Sequence, residues 1–313
     1  MSEELAARLL SGDRRALARA ATLVENRPEQ AAGLLSAVFQ ASARARVLGI
    51  TGAPGAGKST LTAALIRKLR ERGARVGVVA VDPSSPFSGG ALLGDRIRMG
   101  SFVDDEGVFI RSMASRGQLG GLALATGGIV TLLGAAGFDP VIVETVGAGQ
   151  DEVEIALLAH CVCVVLAPGH GDGIQALKAG MLEIADVFAL NKSDLPGAEE
   201  LERDMRAALE LAPAGAAPAL VRCSATREEG MDELLAACLA RLDAPEARAR
   251  HARQWGARLR RMFAARAAAL PPEAVVERAA RRLAGGEGDP YTILENWLAR
   301  FAAGRPIDED IEE

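Results

Sequence analysis

Gly52-Ala53-Pro54-Gly55-Ala56-Gly57-Lys58-Ser59 has the spacing of a phosphate-binding loop, and its flanks have the periodicities that such a loop requires. Before it, Val47-Leu48-Gly49-Ile50 is a short apolar run that reads as a buried strand. After it, Leu61, Leu65 and Leu69 recur at helical spacing between Ser59 and Arg72. Gly52, Gly55 and Gly57 permit a tight turn whose backbone N–H groups face inward on an anion. Lys58 adds a point charge at the β/γ-phosphates, and the Ser59 hydroxyl can ligate Mg²⁺. The candidate nucleotide contacts here are Gly52, Ala53, Pro54, Gly55, Ala56, Gly57, Lys58, Ser59 and Thr60. A chain with 34 glycines could produce such a loop by chance, but lysine occurs only at Lys58, Lys68, Lys178 and Lys192. Arginine does nearly all the other basic work, so a lysine in this slot is not filler.

The 313 residues suffice for one or two domains, with 49 % hydrophobic and 25 % charged residues, near the averages for globular chains. A net charge of -5 argues against a nucleic-acid partner despite the many arginines. Cys161, Cys163, Cys223 and Cys238 include no Cys-x-x-Cys pair, and the alternation of Cys161 with Cys163 in an apolar run reads as buried, reduced core thiols. The start, Met1-Ser2-Glu3-Glu4, lacks the character of a secretion signal or a transit peptide, and no apolar run reaches membrane-spanning length. A cytoplasmic location with no membrane partner is expected.

Residues 1–44 read as a helical extension, with Asp13 as an N-cap and Pro28 starting a third helix. Residues 45–243 then alternate strand and helix, the pattern of an α/β fold with a mostly parallel sheet covered on both faces. Val76–Val81 runs to Asp82-Pro83 and a Ser/Gly/Pro-rich loop ending in Leu93-Gly94-Asp95. Either Asp82 or Asp95 is a candidate for Mg²⁺ or for positioning a water, and either could be an ordinary turn or helix-start acid. Val108–Arg111 is a further strand, and Val141-Ile142-Val143-Glu144-Thr145-Val146-Gly147 another that ends in an acid. Glu144 would reach Mg²⁺ through water and the Gly147 N–H would meet a γ-phosphate. Cys161–Ala167 opens into a loop around Gly169, His170 and Asp172, where the lone histidine reads as solvated.

Val187–Leu190 leads directly into Asn191-Lys192-Ser193-Asp194. An Asp194 carboxylate can accept from both N1–H and the N2 amino group of guanine, a pair that adenine does not offer. Lys192 packs its stem over the ring and Asn191 ties loops together. Ser224-Ala225-Thr226 supplies a turn whose N–H could contact the guanine oxygen. Beyond residue 244 the chain becomes arginine- and alanine-rich helix carrying both tryptophans, Trp255 and Trp297, and the one tyrosine, Tyr291. Such aromatics suit an interface, although a stripe at helical spacing is also ordinary core.

The ordered set Gly52 to Ser59, Asp82-Pro83-Ser84-Ser85-Pro86, Glu144-Thr145-Val146-Gly147, Asn191-Lys192-Ser193-Asp194 and Ser224-Ala225 resembles the methylmalonyl-CoA mutase-associated GTPases, and the likeness extends through Asp289-Pro290-Tyr291-Thr292. The resemblance implies a P-loop NTPase fold with helical extensions at both ends, binding GTP or GDP with Mg²⁺ held by Ser59 and aided by Asp82, Asp95 and Glu144. It implies catalysis by Lys58 with Asp95, and switches at 82–95, 144–151 and 169–178. It also implies a homodimer through the helices of 244–313 and a chaperone role toward an adenosylcobalamin-dependent acyl-CoA mutase. Against it stand a protein kinase of amino-acid transport and a nucleotide-gated binding module without useful hydrolysis. A metallochaperone GTPase is disfavoured, because the histidine-rich N-terminus of those relatives is missing.

Overall fold

The computed structural model describes residues 2–43, 45–82, 102, 104–114, 121–145, 155–169, 179–210, 217–268, 271–284, 289–305 and 307. Seven strands form one sheet: β1 (Val47–Gly52), β2 (Val76–Asp82), β3 (Val108–Ala114), β4 (Val141–Thr145), β5 (Cys161–Leu166), β6 (Val187–Leu190) and β7 (Ala219–Arg222). Their order is β3-β2-β4-β1-β5-β6-β7 and every pairing is parallel. The expected α/β class is therefore the observed one. β1 lies between β4 and β5, and its connection to β2 runs to one side while β5, β6 and β7 build the other. The carboxyl end of β1 is thus a topological switch point, where open parallel sheets bind ligands.

Both faces of the sheet are covered, which is why its strands read as continuous apolar runs rather than alternating ones. Side chains of successive residues still point to opposite faces. Val47, Val141, Val143, Val162, Val164 and Phe188 belong to one core cluster, and Leu48, Ile50, Ile142, Cys161, Cys163 and Val165 to the other. The second cluster is closed by α4 (Lys58–Glu71) and α8 (Met231–Leu242). The first is closed by α1 (Ser2–Leu10), α2 (Arg14–Asn26), α3 (Pro28–Ser42) and α5 (Gly121–Ala135), with α6 (Ala179–Ile184) and α7 (Ala198–Glu210) further along. The sequence reading did not anticipate α7. All four cysteines are free and buried.

The N-terminal helices are fixed to the sheet layer by both sterics and charge. Asp13 caps α2 by accepting from the Arg15 and Ala16 N–H groups, and α2 buries Ala16, Leu17, Ala20, Ala21 and Val24. Glycines on α5 let this layer approach closely: a Cβ at Gly128 would lie 2.7 Å from Val24 Cγ1, and one at Gly134 would lie 2.7 Å from Ala45 Cβ. Arg14 donates to the carbonyls of Glu106 (2.8 Å) and Val108 (2.9 Å), and Arg111 on β3 pairs with Glu25.

The chain packs as two compact units, Met1–Trp255 and Gly256–Glu313. The helices of 1–44 lie in the first unit with the sheet. The division falls inside α9 (Pro245–Ala268), whose Arg250, His251 and Gln254 bond to the amino ends of the strands. The second unit holds the remainder of α9, then α10 (Glu273–Ala284) and α11 (Pro290–Ala302), with Val275, Ala279, Ile293 and Ile307 buried. Its Phe263 and Phe301 rings lie 5.9 Å apart. Among the described residues no helix is long and apolar enough to cross a membrane.

Candidate functional site

The loop after β1 is held in its tight form by glycines that no other residue could replace. Gly52 has φ 138° and a Cβ there would lie 2.2 Å from the Val165 carbonyl oxygen; Gly57 has φ 92° and its Cβ would lie 2.5 Å from Asn191 Nδ2. Gly57 also precedes α4 without placing a side-chain cap on it, so the helix amino end opens onto the loop. Lys58, the first residue of α4 and buried, donates from Nζ to the carbonyls of Gly52 (2.8 Å) and Ala53 (2.9 Å). These carbonyls aim the ammonium at the loop.

Ser59 and Glu144 meet directly, with Ser59 Oγ donating to Glu144 Oε1 at 2.7 Å. Both are buried, on different elements 85 positions apart in the chain. Thr145 Oγ1 donates to Thr51 Oγ1 at 2.9 Å, which locks the ends of β4 and β1 beneath them. A hydroxyl and a carboxylate side by side form a hard, oxygen-only donor set, of the kind that suits Mg²⁺. The residues present therefore fit that ion.

Asn191 joins the loop to the segment expected to read the base. Its Nδ2 donates to the Ala56 carbonyl (2.9 Å), and its Oδ1 accepts from the Ala225 N–H (3.0 Å). Asn191 is 2 % exposed, so losing either bond would strand a buried polar group. Lys192, with φ 58°, donates from Nζ to the Gly55 carbonyl at 2.8 Å. Ser193 N–H donates to the Cys223 carbonyl, and Ser224 Oγ lies 3.3 Å from Thr226 Oγ1. Asp194 sits beside both Ser224 and Arg227. A hydrogen bond from Ser224, with a smaller attraction to Arg227 (Nε to Oδ2 3.4 Å), holds its carboxyl below the ordinary carboxylate range.

The structure thus brings together Gly52 to Ser59, Glu144, Asn191, Lys192, Asp194, Ser224 and Ala225 at the carboxyl edge of the sheet. Thr60 follows on α4, and Thr226 is exposed on the turn. Asp82 ends β2 on that edge, but its carboxylate lies outside the described residues, as do Asp95, Gly147, His170 and most of the expected switch segments. Arg227 was not anticipated as a neighbour of Asp194. Its place in the turn after Ser224-Ala225-Thr226 is the one signal that could have pointed to it.

Comparison with known proteins finds relatives over most of the chain. A candidate GTPase of Pyrococcus abyssi is 50 % identical over 239 residues, covering 75 % of this chain and 74 % of that protein. The GTPase ArgK of Escherichia coli K12 is 40 % identical over 237 residues, covering 72 % of each chain. A crystal structure described as LAO/AO transport system kinase superposes with a TM-score of 0.71 at 27 % identity, covering 96 % of this chain and 97 % of that one. Residues 17–280 match the family described as methylmalonyl-CoA mutase-associated GTPase MeaB. With that match spanning most of the chain, the protein belongs to the methylmalonyl-CoA mutase-associated GTPase family.

Proposed function

We propose that this chain binds and slowly hydrolyses GTP as a chaperone that gates cofactor loading of, and protects or reactivates, an adenosylcobalamin-dependent acyl-CoA mutase. The observation that carries the nucleotide reading is the pair of hydrogen bonds made by the Asn191 side chain, which ties the phosphate loop to the Ala225 turn. Guanine would be selected by Asp194, whose carboxylate stays ionised and accepts the N1–H and N2 pair; adenine would leave those acceptors unpaired. The backbone N–H groups of Gly52 to Lys58 and the start of α4 bind the phosphates, and Lys58 Nζ exchanges loop carbonyls for phosphate oxygens. Ser59, Glu144 and either Asp82 or Asp95 would hold Mg²⁺, which supplies charge neutralisation on the β- and γ-phosphates. Asp95 or a neighbouring switch residue would orient the attacking water. Unassisted turnover on the order of 10⁻⁴ to 10⁻² s⁻¹ is expected, rising with the partner.

The second unit supports a homodimer. Leu259, Met262, Phe263, Leu294 and Leu298 are all exposed there, and large exposed apolar side chains on one unit suit an interface. The name of the solved LAO/AO structure keeps a second reading in view, transfer of the γ-phosphate to a protein of amino-acid transport. One experiment separates the readings: GTP and ATP turnover of the purified protein, alone and with a cobalamin-dependent acyl-CoA mutase from the same source. Slow, GTP-selective release of phosphate that accelerates with the mutase supports the chaperone. Label retained stably on an added transport protein supports the kinase, and turnover indifferent to the mutase removes the partner.

A further inference from the structure

The turn that continues from Ser224-Ala225-Thr226 is closed on itself. Ser224 N–H donates to the Glu229 carbonyl at 3.0 Å, and the Ser224 carbonyl accepts from the N–H groups of Arg227 and Glu229, both at 3.2 Å. Glu228 takes φ 60°, a left-handed conformation that a residue with a side chain adopts at a cost. Its carboxylate is held there by α4, where Arg67 Nε donates to Glu228 Oε1 at 2.9 Å. Gly230 ends the turn with φ 69°, and a Cβ there would lie 2.1 Å from the Arg222 carbonyl oxygen. The backbone of Arg227 is therefore fixed by contacts on both sides of it, and the turn delivers its side chain to Asp194.

Arg227 Nε lies 3.4 Å from Asp194 Oδ2, and among the described residues Asp194 is the acid that pairs with Arg227. The Asp194 carboxylate has the Ser224 hydroxyl and the Arg227 guanidinium against it, and its side chain is 13 % exposed. A guanine edge that uses both carboxylate oxygens meets these two neighbours, which differ in what it costs them to leave. Ser224 is fully buried, so taking its hydroxyl off the carboxylate would strand a polar group. The Arg227 side chain is 58 % exposed, so its guanidinium can turn into water, and an ion pair exposed in this way holds weakly. Arg227 is the neighbour that yields. It also presents to Oδ2 what the guanine N2 amino group presents, an N–H donor.

We propose that Arg227 is a specificity-determining residue of the base site: it holds on Asp194 Oδ2 the place of the guanine N2 amino group and gives way to it. Guanine replaces the Arg227 N–H by its own amino N–H, while its N1–H takes the other oxygen. Hypoxanthine offers N1–H but has no N2 amino group, so with it Arg227 stays on Oδ2 and no acceptor is left without a donor. Arg227 thus narrows the difference between guanine and hypoxanthine, and leaves the exclusion of adenine, which lacks N1–H, to Asp194. The inference deepens the guanine-nucleotide reading above and rests on it.

Affinities for GDP, inosine 5′-diphosphate and ADP, each with Mg²⁺, are measured by calorimetric titration on the full chain, for the wild type and for Arg227→Met. Each titration is run at about 0.01 M and about 1 M salt, between which the screening length falls from about 30 Å to about 3 Å. Phosphate contacts are common to the diphosphates and cancel in their ratio. In Arg227→Met the ratio of GDP to inosine diphosphate affinity should rise about 3-fold at low salt, the scale of one weak ion pair, because hypoxanthine then leaves an Asp194 oxygen without a donor. The wild-type ratio should rise by a similar factor from low to high salt, while that of Arg227→Met should not move. An unchanged or lower ratio in Arg227→Met overturns the proposal, as does an equal loss of affinity for both diphosphates, which would make Arg227 a uniform contact. A wild-type ratio indifferent to salt overturns it without any variant. Failure of the underlying reading looks different: a wild type that binds none of the diphosphates, or binds ADP as tightly as GDP, removes the guanine site itself.

Discussion

Helix α2 in the first unit and α11 in the second start in the same way. Asp13 accepts from the N–H groups of Arg15 and Ala16, and Asp289 accepts from those of Tyr291 and Thr292. The resemblance ends at the cap. α2 buries Ala16, Leu17, Ala20, Ala21 and Val24 beneath a sheet-covering layer, whereas α11 buries Ile293 and leaves Tyr291, Leu294 and Leu298 exposed. Capping starts a helix, but packing of its apolar face supplies most of its stability. The first unit finds that packing within itself. The second leaves Leu259, Met262, Phe263, Leu294 and Leu298 exposed, which is what supports the proposed homodimer.

The comparison can be broken most severely at the phosphate loop. Lys58→Ala removes the buried cation and should lower GTP turnover by about 100-fold or more, read by phosphate release, with the oligomeric mass unchanged. Next in size, Asp194→Ala should weaken GTP binding by about 100-fold and leave ATP binding where it was, read by calorimetric titration. A preference for GTP that survived would remove Asp194 from the base site. In the second unit, Leu294→Asp with Leu298→Asp should halve the mass in sedimentation while unassisted turnover stays within about threefold. If the mass holds, the dimer lies elsewhere.

Smaller effects sharpen the contrast in packing. Gly134→Val would drive a side chain into Ala45 and the Ser42 carbonyl, destabilising the first unit by about 1–3 kcal/mol in denaturant unfolding. The smallest effect is expected at the caps. Asp13 is held below the ordinary carboxylate range chiefly by the Ala16 N–H, and Asp289 chiefly by the Thr292 N–H. With the folded pKa depressed, each cap contributes fully above the ordinary carboxylate pKa and is lost only as pH falls through the lowered value. Asp13→Ala and Asp289→Ala should therefore each lower the thermal midpoint slightly at neutral pH, by less than Gly134→Val, and the difference from wild type should vanish in strong acid.

How far these features were legible differs from residue to residue. The inner strands were readable because a sheet buried on both faces demands continuous apolar runs, as in Val141–Val143 and Cys161–Leu166. Helix α7 was missed because its sequence is mostly charged and its buried stripe is confined to Ala198, Leu201 and Met205. Arg227 was missed because an exposed arginine carries no periodic signal, and only its turn brings it to Asp194.

The sequence by itself determined the local features: a glycine loop that forbids side chains, a lysine and a serine at its end, an acid at the end of β4, the tetrad Asn191-Lys192-Ser193-Asp194, and the aspartate cap at Asp13. These depend on neighbours in the chain, and neighbours in the chain are what a sequence displays. Only the tertiary structure decided that Ser59 meets Glu144, that one asparagine bonds Ala56 and Ala225 together, and that Gln254 closes over Ala156 and Ala159. Each of those contacts joins residues far apart in the chain, and the parallel strand order sets which of them come within a hydrogen bond of one another.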